Sequence, residues 1–224
     1  MKTIITFFLF SITSFSQISY GLKAGALRTS STYSSTSFEV TANASTNSGT
    51  GFYFGGFLDK PINKKGDLLL STGLQFKQIN TSFNKTTKND IGYSPIYGQV
   101  EVTTDFFDSQ ISISSIQIPL LLKFKATDKF SLSGGIYAGA IVNFKTSVKE
   151  EPQERNLSKP NFKSTDVGLL IETSYDFSSI FFVELKYEKG FTNLSSTKID
   201  VGFTTLSDDF KTQSIGIGLG CKFK

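Results

Sequence analysis

The sequence predicts an eight-stranded antiparallel up-and-down β-barrel whose strands cross a membrane. Three observations carry this: segments whose apolar residues recur at every second position, connections that alternate long and short, and an apolar leader at the N-terminus. The first strand runs near Ile18 to Leu27, with Ile18, Tyr20, Leu22, Ala24 and Ala26 on one face. The second covers roughly Gly51 to Leu58, "GFYFGGFL", and its faces are ambiguous. The third, about Asp67 to Ile79, aligns Leu68, Leu70, Thr72, Leu74 and Phe76. The fourth contains "SSIQIPLLLKFK", Ser114 to Lys125, and aligns Ile116, Ile118, Leu120, Leu122 and Phe124.

The fifth, Phe130 to Phe144, aligns Phe130, Leu132, Gly134, Ile136, Ala138, Ala140, Val142 and Phe144. The sixth, Asp166 to Phe177, aligns Val167, Leu169, Ile171, Thr173, Tyr175 and Phe177. The seventh, Ile180 to Phe191, aligns Phe181, Val183, Leu185 and Tyr187. The eighth ends the chain and aligns Ile215, Ile217, Leu219, Cys221 and Phe223. Gly216, Gly218 and Gly220 alternate with that last row, so they belong to a strand rather than to a nucleotide loop. Small residues there let large neighbours pack in a narrow lumen.

The connections near 29–50, 80–110, 145–165 and 192–211 are long, and those at 59–66, 126–129 and 178–179 are short. Large external loops and tight periplasmic turns produce that alternation in outer-membrane barrels. An even strand number then places both termini in the periplasm. Lys2 followed by "IITFFLFSITSF", Ile4 to Phe15, reads as a signal peptide covering residues 1–16, cleaved after Ser16, with residues 17–224 forming the barrel domain. The single cysteine, Cys221, excludes an intramolecular disulfide and a lipid anchor near the start. After the leader no apolar run is long enough for a transmembrane helix. The mean hydropathy of -0.06 fits that. The formal charge of +4 is mild, and no basic cluster with interleaved aromatics points to nucleic acid.

On six of the strands the face opposite the apolar row is polar and carries charge: Lys23, Gln75, Lys77, Gln117, Lys123, Glu172, Asp176, Glu184, Lys186, Glu188 and Lys222. A soluble sandwich turns such residues to water, and a membrane barrel turns them into its lumen. The leader, the loop alternation and the strand lengths choose the barrel. Ile116, Ile118, Leu120, Leu122 and Phe124 are therefore expected in lipid. Lys23, Lys123, Glu172, Glu184, Lys186, Glu188 and Lys222 are expected as a structural ion-pair network inside, since buried charges need partners. Pro119 cannot donate a ladder hydrogen bond, so a bulge or a missing bond is expected there.

"IQIPLLLKFK" resembles the Ile-Pro-Leu-Leu-Leu-Lys strand of the PorT-like outer-membrane β-barrel family of Bacteroidota. "SGGIYAGA" (Ser133 to Ala140), "TDVGLLIETSYDF" (Thr165 to Phe177) and "LKYEKGFTNL" (Leu185 to Leu194) are similar to that family in the same order. The resemblance implies an eight-stranded outer-membrane barrel, usually with no assigned activity. The chain departs from the pattern at Gln117, where an acid is common, and at its end, where the aromatic Phe223 is penultimate. Recognition by the barrel-assembly machinery is expected nonetheless.

The chain contains no histidine, which removes the usual general base and the commonest metal ligand. No enzymatic activity, cofactor or metal site is expected. The aspartates at 105, 108, 208 and 209 read as solvated loop charges rather than Ca²⁺ ligands, and Asn-x-Ser/Thr triplets such as those at Asn43 and Asn193 are expected by chance in so Ser/Thr-rich a chain. The reading is a small outer-membrane barrel with a polar, largely plugged lumen, acting through its long loops or as an envelope structural or assembly component. The alternatives are a narrow pore for small polar solutes and an accessory barrel of a secretion or gliding machinery. The partners implied are outer-membrane lipid, the assembly machinery and, for the last alternative, an envelope complex; nucleic acid is not among them.

Overall fold

The computed structural model describes residues 18–37, 40–45, 47–84, 86–94, 98–106, 109–150, 153–158, 163–194, 198–200 and 205–223. The expected signal peptide, residues 1–16, lies outside them. The strands are β1 (Ser19–Ser37), β2 (Val40–Ser45), β3 (Asn47–Pro61), β4 (Leu68–Phe83), β5 (Thr86–Ser94), β6 (Gly98–Phe106) and β7 (Ser109–Lys125). They continue as β8 (Phe130–Glu150), β9 (Gln153–Ser158), β10 (Thr165–Asp176), β11 (Phe181–Gly190), β12 (Lys198–Asp200) and β13 (Thr205–Phe223). Eight of these make the wall, each hydrogen-bonded antiparallel to the next in the order β1, β3, β4, β7, β8, β10, β11, β13. Pairing of β13 with β1, from Tyr20–Phe223 to Thr36–Ser207, closes the ring.

The expected loops are strand in large part. β1, β8 and β13 run well past the predicted ends, and β2, β9 and β12 pair onto them while β5 and β6 form a separate hairpin. The Ser/Thr-rich composition that suggested loops is also compatible with strand, because threonine is at home on a pleated surface and every continued pair satisfies backbone groups.

Parity along the strands decides which way side chains point. On β3, Phe52, Phe54 and Leu58 point outward and are 43–53% exposed, whereas Tyr53, Phe57 and Asp59 point inward and are buried. That resolves the ambiguous second strand: both of its faces carry aromatics because one lines the lumen. On β8 the outward row ends at Val142. Ser115 pairs with Ile141 and Ser114 with Asn143, so β8 carries one extra residue. This bulge switches the parity, and Phe144, expected on the outer row, is 5% exposed and lies inside.

The bulge therefore lies on β8 opposite Ser114 and Ser115, and the disruption expected at Pro119 takes the form of missing ladder pairs rather than a bulge. Pro119 pairs with Tyr137 of β8. On its other side the β4 register passes from Thr72–Leu120 to Gln75–Gln117, so the ladder is interrupted beside the proline. Thr72 Oγ1 donates a 2.8 Å hydrogen bond to the Pro119 carbonyl at that interruption.

Candidate functional site

The lumen has two storeys. The storey toward the short turns is polar, and the one toward the hairpins is apolar. Three inward rows change character along their strands: Lys23 gives way to Leu27, Lys77 to Ile79 and, reading β13 backwards, Ser214 to Phe210. Leu27, Tyr53, Ile79, Ile111, Ile113, Ile141, Phe144, Leu194 and Phe210 form one buried cluster. Leu194, 2% exposed, joins the cluster from the segment that follows β11. Its amide donates to the Phe210 carbonyl at 2.9 Å, and its carbonyl accepts from the Lys163 amide. The expected polar lumen is thus interrupted by an apolar layer, with Thr29, Ser31 and Thr81 buried beyond it.

In the polar storey, ion pairs span the barrel. Lys23 Nζ from β1 donates to Glu172 Oε1 at 2.7 Å and to Glu184 Oε2 at 3.1 Å. Tyr53 OH donates to the other Glu184 oxygen at 2.5 Å. One turn of the ladder further, Lys186 Nζ lies 2.7 Å from Glu188 Oε1, donates to Gln75 Oε1 at 2.6 Å and sits 4.2 Å from the centre of the Tyr53 ring. Lys77 donates to the second Glu188 oxygen and, at 3.2 Å, to Ser214 Oγ. Glu188 and the Lys186 side chain are essentially unexposed. At the border with the apolar storey, Tyr137 OH donates to Asp166 Oδ2 at 2.9 Å.

Of the seven charged residues expected inside, five meet in this way: Lys23 with Glu172 and Glu184, and Lys186 with Glu188. The other two lie nearer the short turns with other partners. Lys123 donates to Asp59 at 2.8 Å, and Lys222 donates to Asp176 at 2.6 Å. Between them Phe57 and Phe182 meet edge to face, with ring centres 5.6 Å apart. Lys77 and Gln75, read on the polar face, belong to the central group. Asp59, Tyr53, Tyr137 and Asp166 were not foreseen as site residues. Asp59 sits two positions past Phe57 on the same parity, which is the signal that could have found it, but "DKPIN" read as turn.

The expected lipid row of β7 is on the outer wall: Ile116 is 40%, Ile118 56%, Leu120 49%, Leu122 50% and Phe124 49% exposed. Among the expected loop aspartates, Asp108 lies outside the described residues, and Asp209 accepts a hydrogen bond from Asn193.

The glycines of β13 make room for the lumenal rings. A Cβ on Gly218 would lie 2.1 Å from Tyr53 OH, and one on Gly220 would lie 2.2 Å from the Phe182 ring. Gly218→Val should therefore push Tyr53 off Glu184 and destabilise the barrel by about 1–3 kcal/mol, the usual cost of overpacking. Thermal unfolding in detergent checks it; an unchanged midpoint would mean that Tyr53 has room to move.

A closed eight-stranded wall, apolar outside and charged inside, is the geometry on which comparison with known proteins can be set. Residues 14–196 match the family described as outer membrane protein beta-barrel domain. The chain belongs to that family. This outer-membrane barrel is similar in fold to Ail, the attachment invasion locus protein of Yersinia pestis, solved with the heparin analogue sucrose octasulfate. The identity is 15% and the TM-score 0.46, over 92% of this chain and 99% of that one. Neisserial surface protein A shares 12% identity at a TM-score of 0.47, over 91% and 97%. OprG from Pseudomonas aeruginosa shares 12% at 0.42, over 92% and 95%. No curated protein matches the chain.

Proposed function

We propose that this outer-membrane barrel is a closed, non-conducting anchor that works through the hairpins continuing its wall. The observation that carries this is the cross-lumen contact of Lys23 with Glu172 and Glu184, with Lys186 and Glu188 buried beside it. Eight strands leave an interior that side chains can fill, and here the ion pairs fill one storey and the apolar cluster the other. In planar bilayers the purified protein should show no stepwise conductance. A stable conductance at neutral pH would replace the anchor with a pore for small polar solutes. No catalytic step belongs to the proposed role.

In the same proposal residues 1–16 direct export and are removed, and the exposed rows, Ile116 to Phe124 among them, face hydrocarbon. The hairpins are extracellular, and the short turns and both termini are periplasmic. The alternation of connection lengths supports that orientation. A cysteine replacing Lys88, in β5, should react with an impermeant thiol reagent on intact cells, and one replacing Lys64, in the β3–β4 turn, should not. The opposite result would invert the barrel. The element Ile116 to Lys125 supports placing the protein among PorT-like barrels. An envelope partner captured by crosslinking would give it a machine to serve, and insertion by the barrel-assembly machinery follows from the fold class.

A further inference from the structure

The short-turn end of the barrel is electrically lopsided. The β3–β4 turn and the β7–β8 turn stand side by side, because β4 pairs with β7 and the Lys125 amide donates to the Asp67 carbonyl at 2.7 Å. Between them they present Lys60, Lys64, Lys65, Lys125 and Lys129, all exposed, against two carboxylates, Asp67 and Asp128. Asp67 already accepts a hydrogen bond from Asn63 within its own turn. The third turn, Phe177 to Ile180, carries no charge: Phe177 is 55% and Ile180 48% exposed. The neighbouring charged pairs, Lys123–Asp59 and Lys222–Asp176, are internally matched.

Both basic turns are held in shape. Ile62 N donates to the Leu68 carbonyl at 2.9 Å, Asn63 Oδ1 accepts from Leu68 N at 3.2 Å, and Gly66 takes the positive φ of 71° that the tight return requires. In the second turn Thr127 Oγ1 accepts from the amides of Lys129 and Phe130 at 3.2 and 2.9 Å. The lysines thus project from fixed backbone. Lys60 continues an exposed apolar row, two residues after Leu58 on the same face, and Lys125 and Lys129 flank the row ends at Phe124 and Phe130, with Lys125 on the parity of Lys123 but exposed at the rim.

We propose that these two turns form a recognition edge for anionic phospholipid headgroups, with Lys60, Lys64, Lys65, Lys125 and Lys129 gathering phosphates at the end of the lipid-facing wall. The inference rests on the membrane reading above. A lysine at the end of an apolar row lays its stem along that surface and carries its ammonium to headgroup level. Clustered lysines beside a membrane surface attract anionic lipid additively, by about fivefold per lysine engaged. Position decides for lipid over an acidic protein: Lys60, Lys125 and Lys129 sit at the margin of the exposed apolar surface, not away from it.

The test uses the mature barrel in nanodiscs of equal phosphatidylcholine and phosphatidylglycerol, with native mass spectrometry of the lipids it retains. Wild type should retain phosphatidylglycerol several-fold over phosphatidylcholine. A variant with glutamine at all five positions should lose that preference while keeping its heat-resistant folded band on gels, and arginine at the same positions should preserve it. A control with glutamine at Lys145, Lys189 and Lys211, exposed toward the hairpin end, should behave as wild type. Equal retention of both lipids by wild type, or an undiminished preference in the five-glutamine variant, would overturn the proposal and point to an acidic protein partner. A chain that forms no heat-resistant barrel in any lipid would instead overturn the membrane reading on which the proposal stands.

Discussion

Glu188→Gln should lower the melting temperature of the barrel sharply, at a cost of about 3–5 kcal/mol. Glu188 is the carboxylate that both Lys77 and Lys186 contact, and the side chains of all three are at most 6% exposed. Glutamine keeps the size but removes the charge, leaving two ammonium groups close together with no anion between them. Gln75 and Ser214 can still accept hydrogen bonds from them but cannot neutralise them. Glu101→Gln, at an exposed site, should be near neutral. Replacing the triad together, Lys77→Met, Lys186→Met and Glu188→Leu, should recover most of the loss, because apolar residues of similar volume carry no desolvation cost. Equal melting shifts at 188 and 101 would mean a wet, wide lumen. Even the destabilised variant should stay closed to ions, since the apolar storey under Leu194 is untouched by the change.

Leu120→Arg should weaken folding into bilayers by about 2–4 kcal/mol, the range for a cation on the lipid face near the midplane. Leu120 is the middle member of the exposed row from Ile116 to Phe124. Leu121→Arg, one position along, acts by another route. Leu121 is 2% exposed and packs with Tyr137 and Leu170 inside, so arginine there must displace the Tyr137 ring and bury a charge without a designed partner. Reversible refolding into vesicles separates the two. A neutral Leu120→Arg beside a damaging Leu121→Arg would show that the outer wall at that level is not in hydrocarbon.

Period-two alternation made the wall readable in advance. It works where one face is apolar and the other carries charge, as at Lys123 on β7, at Glu184 to Glu188 on β11 and at Lys222 on β13. It fails where both faces are apolar for different reasons. Tyr53, Phe57, Leu121, Leu170 and Phe182 are as apolar as their outward neighbours, and only their parity with Asp59, Lys123, Glu172 and Glu184 marks them as lumenal. Phe144 was misplaced because a one-residue bulge leaves no trace in composition. The apolar storey was hidden for a related reason: Leu27, Ile79 and Ile113 stand on the charged faces but beyond the last charge of each, where a lumen and a loop read alike. Ion-pair partners were the least legible feature. Which lysine meets which carboxylate depends on strand stagger around the ring, so Lys123 was grouped with the glutamates although its partner is Asp59.

Closure of the ring by β1 and β13 bears on how the chain can enter a membrane. Lys23 belongs to the first strand, whereas its two carboxylates stand on β10 and β11, 149 and 161 residues later. Until the last strand seals against the first, Lys23 has neither carboxylate beside it, whereas Glu172 already faces Lys186 across the β10–β11 pair. Any order of assembly that leaves the β1–β13 seam to the end therefore leaves the Lys23 ammonium without its two carboxylates until the chain's two ends meet.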